Sequence, residues 1–293
     1  MSGNASGRVA RSARSIGGVK RIVVLALVLF GIRVACHDAP PPLRIATFNI
    51  EDFPKDDRQI AGAFAELAAL DAPIVGVQEI MDPRAFTMAM RSSLGVEWQV
   101  AFEPFVELGY RHTGVLFDRR RFTLIATTTH DETMLGGDHK RVLDVRLAPV
   151  EGGTPVRTLV APLKAGGDGR DREIRQRQHR ALRDIIKMVS RSGDRIAVLG
   201  DFNATHDVED RGDLAALSNS SGLAWSTEPL ACSAFWRRDD GCPRSRLDHV
   251  FTWESGKATA AGACATSGCD WQNSCPVYSR EISDHCPVVV ELD

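Results

Sequence analysis

The stretch Ala197-Val198-Leu199-Gly200-Asp201-Phe202-Asn203 constrains this chain more than any other. An apolar run that stops at Gly and then at two small polar groups reads as a buried strand whose end opens onto a site. On a continued extended path Asp201 and Asn203 point the same way. That pairs a carboxylate acceptor with an amide that both donates and accepts. Such a pair can take a proton from a water and hold the water in line with a target. Taken alone, Asp-Phe-Asn also reads as a turn after a strand, because Asp and Asn are common turn residues. The company this segment keeps decides between the two.

Residues 43–49 alternate like a strand and run into Asn49-Ile50-Glu51. Asp56-Asp57 then precede Ile60, Phe64, Leu67 and Leu70, a helical spacing with an acidic start. After Pro73, residues 74–78 form a short apolar strand that stops at Glu79, and Asp82-Pro83 opens a second helix in the favoured cap-then-proline order. The middle is β-rich, with strands expected at 98–102, 113–117, 122–128, 141–147 and 156–161, followed by a flexible loop at 164–169. Asp171 is expected to cap a long helix with Ile174, Leu182, Ile185 and Val189 on its apolar side. Its other side carries Arg172, Arg175, Arg180, Arg183 and Lys187, read as a solvated face rather than a nucleic-acid surface. A short helix near 214–217 and strands at 247–253 and 287–292 complete one large domain over 43–293.

The first 35 residues stand outside that domain. Basic residues precede the apolar run at 22–30, which is too short to span a bilayer comfortably, as in a signal peptide. Val34-Ala35-Cys36 resembles a bacterial lipoprotein cleavage site, making Cys36 a candidate lipid anchor, although Arg33 departs from that pattern. Residues 36–42 then read as a stiff proline-rich spacer. Without residues 1–35, which hold six basic groups and no acids, 30 basic and 38 acidic residues remain, a net charge of −8. That balance argues against a broad polyanion-binding face, though not against a local basic groove. Cys36 apart, six of the seven cysteines lie between 232 and 286, and in an exported chain they are expected as three disulfides. Short spacings favour Cys232–Cys242 and Cys269–Cys275, leaving Cys264–Cys286 to brace the turn at His285. Zinc is the rival, but there is no C-x2-C pair.

Four apolar segments thus end in groups suited to divalent metal and phosphate: Asn49 with Glu51, Glu79, Asp201 with Asn203, and Asp284-His285. Asp248-His249 forms a fifth pair within a strand, where His249 faces away from Asp248 and is read as structural. In its segments Ala46-Thr47-Phe48-Asn49, Val77-Gln78-Glu79, Gly200-Asp201-Phe202-Asn203, Arg246-Leu247-Asp248 and Ser283-Asp284-His285-Cys286-Pro287 the chain resembles the endonuclease/exonuclease/phosphatase superfamily. The resemblance implies a four-layer α/β (α+β) sandwich, with two mostly antiparallel β-sheets packed face to face and helices outside. It further implies a Mg²⁺-dependent phosphodiesterase, with Mn²⁺ or Ca²⁺ as alternative ions, and the leader makes it an exported one. By this likeness Glu79 is the principal metal ligand, with Asn49 and Glu51 beside it and Asp284 as a nearby acid. Asp201 and Asn203 resemble the residues that activate and orient the attacking water, His285 the histidine on the phosphate, and Asp248 its orienting carboxylate.

One position departs from the family. Many relatives carry His-Leu-Lys or Tyr at the end of the strand before the glycine loop, and Pro162 stands there in this chain. His112 is nominated as a substitute proton donor, with Arg111, Tyr110 and Lys164 as candidate phosphate or substrate contacts. The expected substrate is a phosphoester, nucleic acid first, with sphingomyelin or inositol phosphates as the alternative. A non-catalytic binding module of the same fold and a structural envelope protein are the readings from other classes. A monomer is expected, secreted, periplasmic or lipid-anchored to a bacterial envelope.

Overall fold

Alternation along the first strand sets the layering. In β1 (Leu43–Phe53), Ile45 belongs to one buried cluster while Ala46, Phe48 and Ile50 belong to another. Successive side chains of a strand point to opposite faces, so a strand apolar on both needs cover on both. In this computed structural model residues 42–104, 110–136, 140–205, 207–235, 241–270 and 274–292 are described. The expected signal peptide, Cys36 and all but the last residue of the spacer lie outside those residues.

After β1 the chain forms α1 (Asp57–Ala69), β2 (Ile74–Ile80), α2 (Pro83–Ser93), β3 (Trp98–Phe102) and β4 (His112–Asp118). Next come β5 (Phe122–His130), β6 (Val142–Pro149), β7 (Val156–Val160), α3 (Gly169–Val189), β8 (Arg195–Asp201), α4 (Val208–Ser221) and β9 (Ala224–Trp225). The last part holds β10 (Ala234–Phe235), β11 (Arg244–Ser245), β12 (Asp248–Thr252), β13 (Gly256–Ala260), α5 (Gly262–Ser267), α6 (Val277–Glu281) and β14 (Val288–Leu292). Two six-stranded sheets result, in the orders β13-β14-β1-β2-β4-β3 and β5-β6-β7-β8-β12-β9. Each has a single parallel pair, β1 with β2 and β7 with β8, and all its other pairs are antiparallel.

Between the sheets lies a core that includes Ile45, Ile74, Phe117, Leu143, Val160, Leu199, Val250 and Val290. Gly76 lets them close up, since a Cβ there would run into Leu199 and Val160 of the opposite sheet. Outside the first sheet α1 and α2 bury Phe64, Leu67, Phe86 and Met90 against Phe48 and Val77. Outside the second, α3 and α4 bury Leu182, Ile186 and Leu217 against Leu159, Val198 and Phe251. These are the four expected layers. The cap at Asp82 forms as read, and within the acidic start Asp56 is the cap of α1, each side chain accepting two backbone N–H bonds. The cap of α3 differs: Asp168, extended and three residues before Asp171, accepts from the Asp171 N–H at 2.7 Å, which puts Asp171 inside the first turn. The short helix expected near 214–217 runs through Val208–Ser221, started by Asp207 and stopped by Gly222 in the left-handed conformation.

Three disulfides form, and two differ from expectation. Cys232 pairs with Cys269, Cys242 with Cys275, and Cys264 with Cys286. The antiparallel register Ala234↔Ser245 explains the change, because it leaves Cys232 beyond one end of the β10–β11 ladder and Cys242 beyond the other. Two cysteines set so far apart along a ladder cannot bring their Cα atoms to bridging distance. No helix among the described residues is long and apolar enough to cross a membrane.

Candidate active site

The two parallel pairs point their C-terminal ends the same way, and those ends open into one cleft of about 360 Å³. Its lining draws Glu51 and Glu79 from the first sheet, Asp201 and Asn203 from the second, and Asp284-His285 from the turn before β14.

On the first sheet the inner face of β1 and β2 becomes polar towards the cleft. Thr47 and Gln78 bond side chain to side chain, and one step on Asn49 is buried. Asn49 Oδ1 accepts from the Glu51 N–H at 3.0 Å while its Nδ2 donates across the sandwich to Asp201 Oδ2 at 3.1 Å. Glu51 Oε2 in turn accepts from the Asp284 N–H at 2.9 Å and meets Lys55 Nζ at 2.8 Å. Glu51, Asp52 and Glu79 all have positive φ, which side-chain-bearing residues rarely adopt, and Asn203 on the opposite side does too. Four such residues lining one cleft mark it as a place where the fold stores backbone strain.

The second sheet is built differently. β8 and β12 pair Asp201 directly opposite Asp248. Gly200 permits a close approach to β7, since a Cβ there would lie 2.9 Å from Ala161 O. The extended path does not continue past Asp201: Asn203 turns left-handed, with φ at 50°. The pair still meets, because the turn brings the Asn203 N–H to Asp201 Oδ1 and its Nδ2 to Asp201 Oδ2, both at 2.9 Å. With the Asn49 amide, three N–H donors converge on one carboxylate. Asp248 Oδ2 accepts from His285 Nδ1 at 2.8 Å and from Ser233 Oγ at 2.7 Å. Ser233 also accepts from the Leu247 and Asp248 N–H groups, so a single hydroxyl pins the start of β12.

Burial alone would push the His285 pKa down, but the carboxylates of Asp248, Asp201 and Asp284 outweigh it and hold that pKa well above its ordinary value. The ring is therefore a cation at neutral pH, and its Nε2, 3.9 Å from both Asp201 and Asp284, is left to face the cleft. Burial, joined by Glu51, Glu79 and Asp201, pushes Asp284 up to about 6. Oxygen donors crowded enough to raise a carboxyl's pKa in this way fit a hard divalent cation, which takes carboxylate and amide oxygens. The ligand-type atoms of Asp201, Asp248 and His285 also lie within 4.8 Å of one another, but there the imidazole already supplies the positive charge.

Among the phosphate and proton-donor nominees, Arg111 lines the cleft, gripping Asp52 at 2.7 Å and Glu79 at 3.2 Å. His112 does not. At the start of β4 its ring is fully buried, with Nδ1 3.9 Å from Glu103 and the ring edge-on to Tyr110, so it is out of reach of a leaving oxygen. Tyr110 sits outside the lining under the Arg141 guanidinium. Lys164 turns to Asp171 at 2.9 Å and leaves the rim to Ala165, Gly166 and Gly167. His249 is structural: its Nδ1 lies 3.2 Å from Trp225 Nε1, and Nε2 lies 3.3 Å from Ala204 O. The sequence reading missed Ser233, which has no local signature. It also missed Arg172, Arg175, Thr205, Asp207 and Asp210 on the far wall. Arg175, read as solvated, is 2% exposed.

The sequence profile described as "Endonuclease/Exonuclease/phosphatase family" matches residues 46–285. No curated protein matches by sequence. Among solved structures the human Nocturnin catalytic domain with bound sulfate superposes with a TM-score of 0.65 at 19% identity, over 86% of this chain and 93% of that one. D. rerio TDP2 complexed with a single-strand DNA product gives 0.60 at 16% identity, over 85% and 97%. A mannosyl-6-phosphatase of Bacteroides thetaiotaomicron gives 0.60 at 15% identity, over 86% and 99%. At these identities the likeness concerns the fold.

Proposed function

The chain belongs to the endonuclease/exonuclease/phosphatase family, and from that premise we propose that it is an exported, Mg²⁺-dependent phosphodiesterase acting on nucleic acid. The observation that carries this reading is the convergence of Asn49, Asn203 and the Asp248-held His285 on Asp201, beside an oxygen-rich pocket at Glu79. Phosphoryl transfer needs charge neutralisation and in-line placement more than covalent help. A divalent ion held by Glu79, Asn49 and Glu51, with Asp284 alongside, would supply the first by neutralising phosphate charge. Asp201 takes the proton of the attacking water, and the Asn203 amide fixes that water's direction. His285 donates from Nε2 to a phosphoryl oxygen while Asp248 holds the ring through Nδ1. Arg111 offers a forked contact to the phosphate. Among the described lining residues His285 is the one imidazole, so no second histidine stands in for the side chain that Pro162 lacks.

Three disulfides favour an oxidising compartment, in keeping with the leader read at residues 1–35. A second reading is a small phosphoester such as a sugar or inositol phosphate. It is favoured by the lining itself, where carboxylates outnumber the three guanidiniums and each guanidinium is already ion-paired. A track for a long polyanion uses free cations in a row. The test is to incubate the purified protein with Mg²⁺ and plasmid DNA, RNA, sphingomyelin, inositol phosphates, mannose 6-phosphate and bis-p-nitrophenyl phosphate. Cleavage of nucleic acid and of the aryl diester, lost in EDTA and restored by Mg²⁺ or Mn²⁺, is the expected result. Turnover of sugar or inositol phosphates alone replaces the nuclease reading with the second. Inactivity on the whole panel argues for a binding module.

A further inference from the structure

The helix that follows the glycine loop turns two of its polar side chains inward. Arg175 and Gln178 on α3 are 2% and 0% exposed. A guanidinium taken out of water is costly unless hydrogen bonds and an opposite charge meet it, and an apolar side chain would often serve stability as well. Of the partners met here, Gly166 and Asp210 line the cleft. Arg175 Nη1 donates to Lys164 O at 3.2 Å and to Gly166 O at 2.5 Å, on the rim formed by the glycine loop. Its Nη2 meets Asp210 Oδ1 at 3.4 Å, and the other oxygen of Asp210 accepts from the Thr205 N–H at 2.8 Å, on the segment that follows Asn203. Gln178 Oε1 accepts from the Lys164 N–H at 2.8 Å while its Nε2 donates to Thr133 O. Next to the clamped Lys164, Leu163 O accepts from Asn203 Nδ2 at 3.0 Å.

We propose that Arg175, supported by Gln178, is a positioning residue that ties the glycine loop to the Asn203–Thr205 segment and so fixes the direction of the Asn203 amide. The Asn203 Nδ2 is held from two sides, by Leu163 O and by Asp201 Oδ2. A flipped amide would set its oxygen against both acceptors, so the position of the Leu163 carbonyl selects one orientation. Lys140 Nζ grips that carbonyl directly at 2.7 Å, and Arg175 holds the carbonyls that follow it in the loop, Lys164 O and Gly166 O. Its effect on turnover rests on the reading above in which Asn203 directs the attacking water, whereas its effect on the two segments does not.

The test compares Arg175→Met, Arg175→Lys and Asp210→Asn with the wild type, using bis-p-nitrophenyl phosphate turnover, Mn²⁺ titration, melting and amide hydrogen exchange. In Arg175→Met, exchange is expected to speed up at 163–167 and 203–205 while the sheet amides stay protected. The kcat should fall about 10–100-fold, the usual cost of a small misplacement, with KM and Mn²⁺ affinity within about threefold. Arg175→Lys should regain part of the loss by reaching one carbonyl, and Asp210→Asn should loosen 203–205 alone. Unchanged exchange in both segments overturns the proposal, as does a kcat loss that merely follows a uniform loss of protection and Tm. If Arg175→Met fails to fold, Arg175→Lys and Asp210→Asn carry the same comparison. If the wild type turns over nothing, the reading of the reaction has failed, and the local exchange pattern still decides the clamp.

Discussion

The two sheets furnish the cleft in opposite ways. The β1–β2 side offers Glu51 and Glu79 with side chains 23% and 16% exposed, on left-handed backbone, paired with Lys55 and Arg111. The β8–β12 side offers Asp201 and Asp248 at 3% and 0% exposure, held by hydrogen bonds from Asn203, Asn49, Ser233 and His285. One side is short of positive charge and open to solvent, as a place that receives an ion should be. The other has its proton donors and acceptors arranged in advance, as a place that acts on a bound substrate should be. Under the proposed function, metal capture and proton handling are therefore separable, although both lie in a single cleft.

The sharpest way to break that separation is Asp201→Ala. Turnover should fall roughly 10²–10⁴-fold at saturating metal. Glu79→Ala should instead regain much of its activity as Mg²⁺ is raised. Titrating both variants with metal checks this, and an Asp201→Ala enzyme rescued by extra Mg²⁺ would dissolve the distinction.

Asp248→Asn probes the proton side next, with an expected loss of about 10–10²-fold in kcat. The cationic ring of His285 is favoured by Asp248, so its pKa stands above the ordinary value. The form that donates is complete below that raised pKa and disappears as pH rises through it. In the wild type the alkaline fall of kcat should therefore lie well above pH 6.5, the ordinary histidine value, and Asp248→Asn should move it to lower pH. A pH–rate profile with an unmoved alkaline limb would remove His285 from the donor role.

The disulfide Cys264–Cys286 ties the residue after His285 to α5. Replacing both cysteines by Ala should lower stability by about 2–5 kcal/mol in denaturant melts. It should also lower kcat, because Cys286 follows His285 directly and the bridge braces that turn.

The smallest effect is expected at the far edge of the first sheet. Burial pushes Glu103 up to about 7, with Asp131 adding to it and Arg141 and Thr113 opposing. Between the unfolded value of 4.5 and about 7 the folded protein binds the extra proton, so stability should decline as pH rises across that window. Glu103→Gln should flatten the slope, which is on the order of 1–3 kcal/mol in total, with little change in kcat. The same dependence of Tm on pH between 4.5 and 7 in the wild type and in Glu103→Gln would show that Glu103 adds no such slope.

Taken by itself, the sequence determined most of the long strands and helices and which strand ends are polar, but not the short elements β9 to β11, β13, α5 and α6. Alternation in residues 43–49, the acidic start at Asp56-Asp57, the cap at Asp82, and the stops at Glu79, Asp201 and Asp284 are local patterns, and local patterns report whether a side chain faces in or out. The family motifs added the layer order that periodicity does not carry. Tertiary structure decided everything that depends on which distant segments meet. Cys232 could not be matched to Cys269 without the β10–β11 register, and His112 is a candidate proton donor by sequence until its burial beside Glu103 takes it out of the cleft. Arg175 has the spacing of a solvated face, and only the glycine loop and Asp210 arriving from elsewhere give its guanidinium reason to turn inward. The physical reason is common to all three: a side chain's periodicity fixes its direction, but its partners are fixed by contacts between residues far apart in the chain.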